Sequence, residues 1–181
     1  MSVILFIAII LGALILLLSL VGSLQPRLLI IESSSVIPIA QLQVFDAIQQ
    51  LRTYPKWDPW STKAPGLIPS FSYFDDAIGS TYSWQGNLKT GSGKLEIVSM
   101  DAPHSLTLAI QFGFQHQATA TFRLAPEKEE THVTWIFETD LGANPIRRVA
   151  LPYLKKYIQS DLNLGLEQLK TYLQHEANET H

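Results

Sequence analysis

Hydrophobic and polar positions follow three different periods along this chain, and each predicts a different kind of structure. Residues 2–22 show no alternation: Ser-Val-Ile-Leu-Phe-Ile-Ala-Ile-Ile-Leu-Gly-Ala-Leu-Ile-Leu-Leu-Leu-Ser-Leu-Val-Gly is apolar on every side and uncharged. At about 1.5 Å per residue this makes a helix roughly 30 Å long, the thickness of a bilayer's hydrocarbon core. Residues 28–36 read as a strand. Residues 39–52 turn to a period of three to four, with Ile39, Leu42, Phe45 and Ile48 on one face and Gln41, Gln49 and Arg52 on the other. Pro38 suits that helix's first turn, where a missing N–H costs nothing. The prolines of Tyr54-Pro55-Lys56-Trp57-Asp58-Pro59-Trp60 then break the chain into a short irregular or one-turn segment.

From about residue 69 the period becomes two. Strands are predicted over 69–75, 79–86, 93–101, 105–112, 117–125 and 131–139. Turn residues separate them: Asp75-Asp76, Thr90-Gly91-Ser92-Gly93, Asp101-Ala102-Pro103, Gly113 and Pro126-Glu127-Lys128. Leu106, Leu108, Ile110 and Phe112 alternate with polar or small residues, and Val133, Trp135 and Phe137 alternate with Thr134, Ile136 and Glu138, so each strand has one greasier face. After Asn144-Pro145, residues Leu151, Leu154, Ile158, Leu162, Leu166, Leu169 and Leu173 predict a closing helix of about twenty-five residues. Lys155, Lys156, Gln159, Asp161, Glu167 and Lys170 are placed mostly on its outer face. Gly165, costly inside a helix, marks a close approach to the sheet or room for a ligand. Residues 176–181 are expected to form a frayed tail.

The fold class is therefore α+β. An apolar helix over 2–22 precedes one domain over 28–175, in which a curved antiparallel sheet of about seven strands packs on a long C-terminal helix. Such a sheet commonly encloses a cavity. For the apolar segment, a cleaved signal peptide competes with a retained anchor, and Val21-Gly22-Ser23 is a tolerable cleavage site. The lack of a preceding Lys or Arg and a run longer than a signal's usual core favour a single-pass anchor.

Composition narrows the function. The 13 Lys and Arg nearly balance the 16 Asp and Glu, without blocks of like charge, which argues against nucleic acid as a partner. The chain has no cysteine, which removes disulfides, thiolate nucleophiles and Cys-type metal sites. The five histidines, His104, His116, His132, His175 and His181, never share one element at metal-ligand spacing, so no metal and no cofactor is expected. Arg27, just after the apolar run, favours a domain on the cytoplasmic side.

Several motifs in order carry a resemblance. They are Val44-Phe45-Asp46-Ala47, the Tyr54–Trp60 segment, Gly79-Ser80-Thr81-Tyr82-Ser83-Trp84-Gln85-Gly86-Asn87 leading into Gly91-Ser92-Gly93-Lys94-Leu95-Glu96-Ile97, then Thr131-His132-Val133-Thr134-Trp135 and Gly165-Leu166-Glu167-Gln168-Leu169-Lys170. Together they resemble the START-like (SRPBCC, Bet v 1-like) superfamily, in its bacterial polyketide cyclase/dehydrase-like branch. The resemblance covers about residues 28–175 and implies a helix-grip fold. It is less specific for function, because this fold hosts carriers, receptors and enzymes.

Trp57, Trp60, Tyr73, Tyr82, Trp84, Trp135 and Phe137 fall on segments expected to face the cavity, with Ile97, Leu108, Ile110 and Leu162 completing its lining. Trp57 and Trp60 are placed near the mouth. The competing reading is that these side chains simply fill the core. No catalytic set stands out. Glu138 and Asp140 share a strand face with Glu96 across the sheet, and a solvated outer face is favoured over a buried base there. Three functions follow: a membrane-anchored binding module for a hydrophobic small molecule (lipid, isoprenoid or polyketide-like), a cyclase/dehydrase-like enzyme using the same cavity, and a protein-interaction domain with a vestigial pocket. The first is preferred, because greasy cargo partitions into the bilayer beside such a pocket.

Overall fold

The alternating segments assemble into one seven-stranded antiparallel sheet in the order β1-β7-β6-β5-β4-β3-β2. The computed structural model describes residues 2–63, 66–86, 91–113 and 116–179. Its elements are α1 (Ser2–Ser23), β1 (Leu28–Ile37), α2 (Gln41–Gln49), α3 (Tyr54–Trp57), α4 (Pro59–Thr62), β2 (Ile68–Phe71), β3 (Thr81–Gln85), β4 (Ser92–Asp101), β5 (Ser105–Phe112), β6 (His116–Glu127), β7 (Glu130–Asp140), α5 (Pro145–Arg148) and α6 (Leu151–Glu179). Asn87 of the resemblance motif, Thr90 of the expected turn, and His181 lie outside the described residues.

One face of the sheet is apolar and covered. Leu29 and Ile31 of β1, Leu106, Leu108 and Ile110 of β5, Phe122 and Leu124 of β6, and Val133, Trp135 and Phe137 of β7 are all buried there. A bulge between Ile97 and Ser99 interrupts the β4–β5 register and bends the strand, adding curvature where the sheet wraps its helix. Over the covered face runs α6, whose Ile158, Leu162, Leu166, Leu169 and Leu173 are buried. It is seated beside β1, where Ser33 Oγ donates to Asn163 Oδ1 and Gln159 Nε2 donates to the Glu32 carbonyl at 3.0 Å.

Gly165 is the point of closest approach. A Cβ built there would lie 2.5 Å from Trp135 Cζ3 and 3.0 Å from Pro59 Cδ. Of its two expected uses, the structure shows the close approach.

Several expectations need correction. The predicted strand over 69–75 ends at Phe71, because Ser72 folds back: its Oγ accepts from the Thr81 N–H at 2.8 Å. Pro38 lies outside α2, which begins at Gln41, and Leu42 points to solvent while Val44, Phe45, Ala47 and Ile48 face inward. Asp161, assigned to the outer face of α6, is buried within it. The helix also continues through Glu179 instead of fraying from Glu176, since residues 170–179 hold neither Gly nor Pro.

The first helix, α1, stands apart. Its side chains are exposed along most of its length, and it is long and apolar enough to cross a membrane. Only four residues separate it from β1. Its last turn touches the domain: Gly22 is buried against α5, so close that a Cβ there would fall 1.8 Å from the Pro145 carbonyl oxygen. Beside it the buried Arg148 guanidinium donates to the Gln25 carbonyl at 2.8 Å and the Ala143 carbonyl at 3.2 Å.

Candidate functional site

The break at Asp58-Pro59 separates two aromatic populations. Asp58 is the N-cap of α4, its Oδ2 accepting from the Ser61 N–H at 2.7 Å, and Pro59 occupies the first turn. Trp57, just before the break, faces inward and is fully buried with Trp135 and Phe122, ring centroids 6.0 Å from each. Trp60, just after it, is partly exposed, with its ring edge-on to Trp135 at 5.9 Å. Trp57 is thus core and Trp60 is rim, although both were expected near a mouth.

Between α3, α4 and the β3–β4–β5 part of the sheet lies a pocket of about 120 Å³. Tyr82, Leu95 and Ile110 form its buried wall, and Trp60, Trp84, Phe112 and Leu67 its partly exposed rim. Tyr54, Asp58 and Ser61 supply its polar groups. The Trp84 ring can lie flat over β4 because residue 93 is glycine: a Cβ there would sit 2.2 Å from Trp84 Cζ2. Larger depressions among the described residues include one of about 920 Å³ between α2 and the end of α6 and one of about 420 Å³ on the outer face of the sheet. Both mix polar and apolar surface, whereas the smaller pocket has the apolar walls and few convergent polar groups of a ligand site.

The register fixes where this pocket lies. Leu29, Thr139, Ala118, Ile110, Leu95, Tyr82 and Phe71 are successive Cα partners across all seven strands. Leu29 is the second residue of β1, immediately after the connection from α1. Phe112 and Trp84 lie two residues further toward that same end. The pocket therefore sits at the end of the sheet to which α1 is attached, three to five strands along the row from β1, roughly 14–24 Å at a strand spacing near 4.8 Å.

Asp58 gives the pocket its chemistry. It is 3% exposed, and its Oδ1 has no hydrogen-bond partner among the described residues. Burial raises its pKa from the usual carboxylate value to about 6. The Ser61 and Trp60 donors pull the other way, and the nearby Asp161 charge adds to the rise. The Tyr54 hydroxyl, also buried without a partner among the described residues, is pushed well above the ordinary phenol value by burial and by Asp58. The Tyr82 hydroxyl shares a 3.2 Å hydrogen bond with Ser61 Oγ, and burial raises its pKa too. Asp161 behind them is ion-paired to Lys63 through Oδ1.

Of the residues expected to line a cavity, Trp60, Tyr82, Trp84 and Ile110 come together here. Ile97, Leu108, Trp135 and Leu162 are fully buried in the core, and Phe137 nearly so, packed against Trp60. Tyr73 departs most: it is 89% exposed in the loop after β2, its ring against Phe74, because the strand that would have turned it inward ends two residues earlier. Glu96 pairs with Lys94 at 2.8 Å, and both line the outer depression with Glu138 and Asp140. Asp58, Tyr54 and Ser61 were not singled out. The signal for Asp58 was present, since an Asp directly before Pro is a strong N-cap, but nothing local says that the cap is buried. Among the described residues no three His, Asp or Glu side chains gather as a metal site.

A curved antiparallel sheet gripping a long C-terminal helix, with an apolar pocket between sheet and short helices, defines the Bet v 1-like class. A protein-family model described as polyketide cyclase/dehydrase and lipid transport matches residues 29–174, and the chain belongs to that family. No curated protein sequence matches. Similar solved structures include a Staphylococcus aureus protein of unknown function at TM-score 0.66 and 7% identity, covering 83% of this chain and 96% of that one. Norcoclaurine synthase from Thalictrum flavum, solved with dopamine and hydroxybenzaldehyde, aligns at TM-score 0.61 and 9% identity over 86% and 91% of the two chains. A Chromobacterium violaceum protein aligns at 0.59 and 14% over 82% and 98%. At these identities the likeness is one of fold.

Proposed function

We propose that this chain is a membrane-anchored binding module for a small hydrophobic molecule, held in the pocket rimmed by Trp60, Trp84 and Phe112, with the domain on the cytoplasmic side. One observation carries the reading: the apolar pocket lies at the end of the sheet that α1 joins, so a ligand dissolved in the bilayer has a short path to it. Family membership supports hydrophobic cargo, and the seating of Gly22 against Pro145 supports a retained first helix over a cleaved one. The volume narrows the cargo. A cavity of about 150 Å³ holds benzene, so 120 Å³ takes one ring or a short branched chain. A longer lipid, isoprenoid or polyketide-like compound seats one end and leaves the rest at the mouth.

The test is titration of the detergent-solubilised chain with single-ring and isoprenoid alcohols while following tryptophan fluorescence. Saturable quenching that Trp60→Ala weakens supports the reading. Absence of binding by either class overturns it and leaves the interaction-domain alternative.

Asp58 favours cyclase/dehydrase-like chemistry as the second reading. A buried carboxyl with one free oxygen and a pKa of about 6 is matched to taking up and returning a proton near neutral pH. Turnover with a bell-shaped pH profile, abolished in Asp58→Asn while binding persists, distinguishes this reading from simple carriage.

A further inference from the structure

One feature beside α1 plays no part in the pocket. From residue 141 to 160 the chain carries four bases, Arg147, Arg148, Lys155 and Lys156, and no Asp or Glu, in a protein of net charge −3. The opposite end of the sheet differs: Glu127, Glu129 and Glu130 crowd the β6–β7 turn around one lysine.

Packing sets the depth of the basic stretch. Leu18 and Ser19 are partly covered and Gly22 is buried, positions i, i+1 and i+4 of one helix face, and α5 sits against this part of α1. Arg148 ties the two together through the Gln25 carbonyl. Where the last turn of α1 reaches the edge of the hydrocarbon, α5 must lie at the same level. The surface it continues has the composition of an interfacial segment. Ile146 is about half exposed, Tyr153 is 82% and Tyr157 58% exposed, and Lys155 and Lys156 are exposed between them. Arg27 is exposed on the α1–β1 connection, and Lys63 stands 5.8 Å over the Tyr157 ring. The bordering acids are few: Asp140, whose Oδ1 is taken by the Gly142 N–H, Glu32 on β1, and the buried Asp161, paired with Lys63.

We infer that α5 and the first two turns of α6 form a second membrane contact, a foot resting on the anionic phospholipid headgroups of the leaflet in which α1 ends. This rests on the anchored reading above and goes beyond it, because the seam to α1 sets the level of α5 without by itself giving the domain any contact with headgroups. With the foot down, the domain has one orientation, and the pocket end of the sheet faces the bilayer.

The absence of cysteine makes the test clean, since one introduced thiol carries one label. Full-length protein is reconstituted in vesicles of phosphatidylcholine with or without phosphatidylglycerol, with bimane at Tyr153→Cys, at Ile10→Cys within α1, or at Glu129→Cys in the far turn. Quenching by headgroup-region and acyl-chain spin-labelled lipids is then read. The expected result is strong quenching at 10, headgroup-depth quenching at 153 that grows with phosphatidylglycerol, and none above background at 129. Lys155→Glu combined with Lys156→Glu should lower the docking equilibrium constant read at 153 by at least fivefold per lysine, roughly the worth of one base at an anionic surface. These side chains are exposed, so folding survives their replacement. Quenching at 10 with 153 no different from 129 overturns the foot and leaves the anchor standing. Quenching at 153 indifferent to phosphatidylglycerol and to the lysines overturns the anionic-headgroup assignment. No quenching at 10 removes the anchored reading, and the foot with it.

Discussion

Asp58 places a titration inside the stability curve. Its carboxyl is buried and its pKa is raised to about 6, so the folded state holds a proton that the unfolded state, with a pKa near 4, releases first. Stability therefore falls as pH rises from about 4 to 6, and the ionised carboxylate costs about 3 kcal/mol above that range. Asp58→Asn keeps an N-cap oxygen for the Ser61 N–H and removes the charge. Its melting temperature should exceed wild type at pH 7.5 and stay flat between pH 5 and 7, and a wild-type-like slope would refute the assignment. Gly165 offers a second check at this scale. Alanine gains about 1 kcal/mol in helix propensity but drives a methyl into Trp135, whose ring is locked by Trp57, Trp60 and Phe122. Overpacking of about 1–3 kcal/mol wins, so Gly165→Ala should lower the denaturation midpoint.

At the scale of elements, α6 closes the grip. Leu162 is fully buried, and Leu162→Asp sets an unpaired carboxylate in the core at a cost of several kcal/mol, much of what a domain of this size has. Thermal melting of the full chain checks this, and an unchanged midpoint would contradict the packing. The elements themselves were legible because period two survives in each long strand and leucines recur at three and four in α6. Failures fell where a side chain outweighed the pattern. Ser72 ends β2 early, and Asp161 looked like an outer-face residue until Lys63 met it from another element. The pocket was half legible: aromatic residues on inward strand faces could be read, but which of them fill the core depends on how far α3 and α4 descend onto the sheet. Sequence spacing does not encode that depth.

For the whole molecule, the pocket and the apolar helix lie at the same end, so binding should depend on the surroundings. In vesicles, a single-ring ligand that partitions into lipid should reach the pocket at a rate that rises with its membrane concentration and not with its aqueous concentration. Trp60→Ala should weaken its affinity roughly fivefold, the worth of one aromatic contact. Stopped-flow tryptophan quenching at fixed total ligand and varied lipid separates the two dependences.

The seam between Gly22 and Pro145, together with the Arg148 clamp on Gln25, also has a mechanical meaning. Strand β1 is an edge strand, and a load arriving at its start would peel its hydrogen bonds to β7 one after another, the weakest way to stress a sheet. The clamp lies upstream of β1 in the chain and hands the load to α5 instead. With α1 held in a bilayer as proposed, sideways pulls on it would spend themselves on the α1–α5 seam, and the sheet behind it would be shielded as a cable joint is by its strain relief.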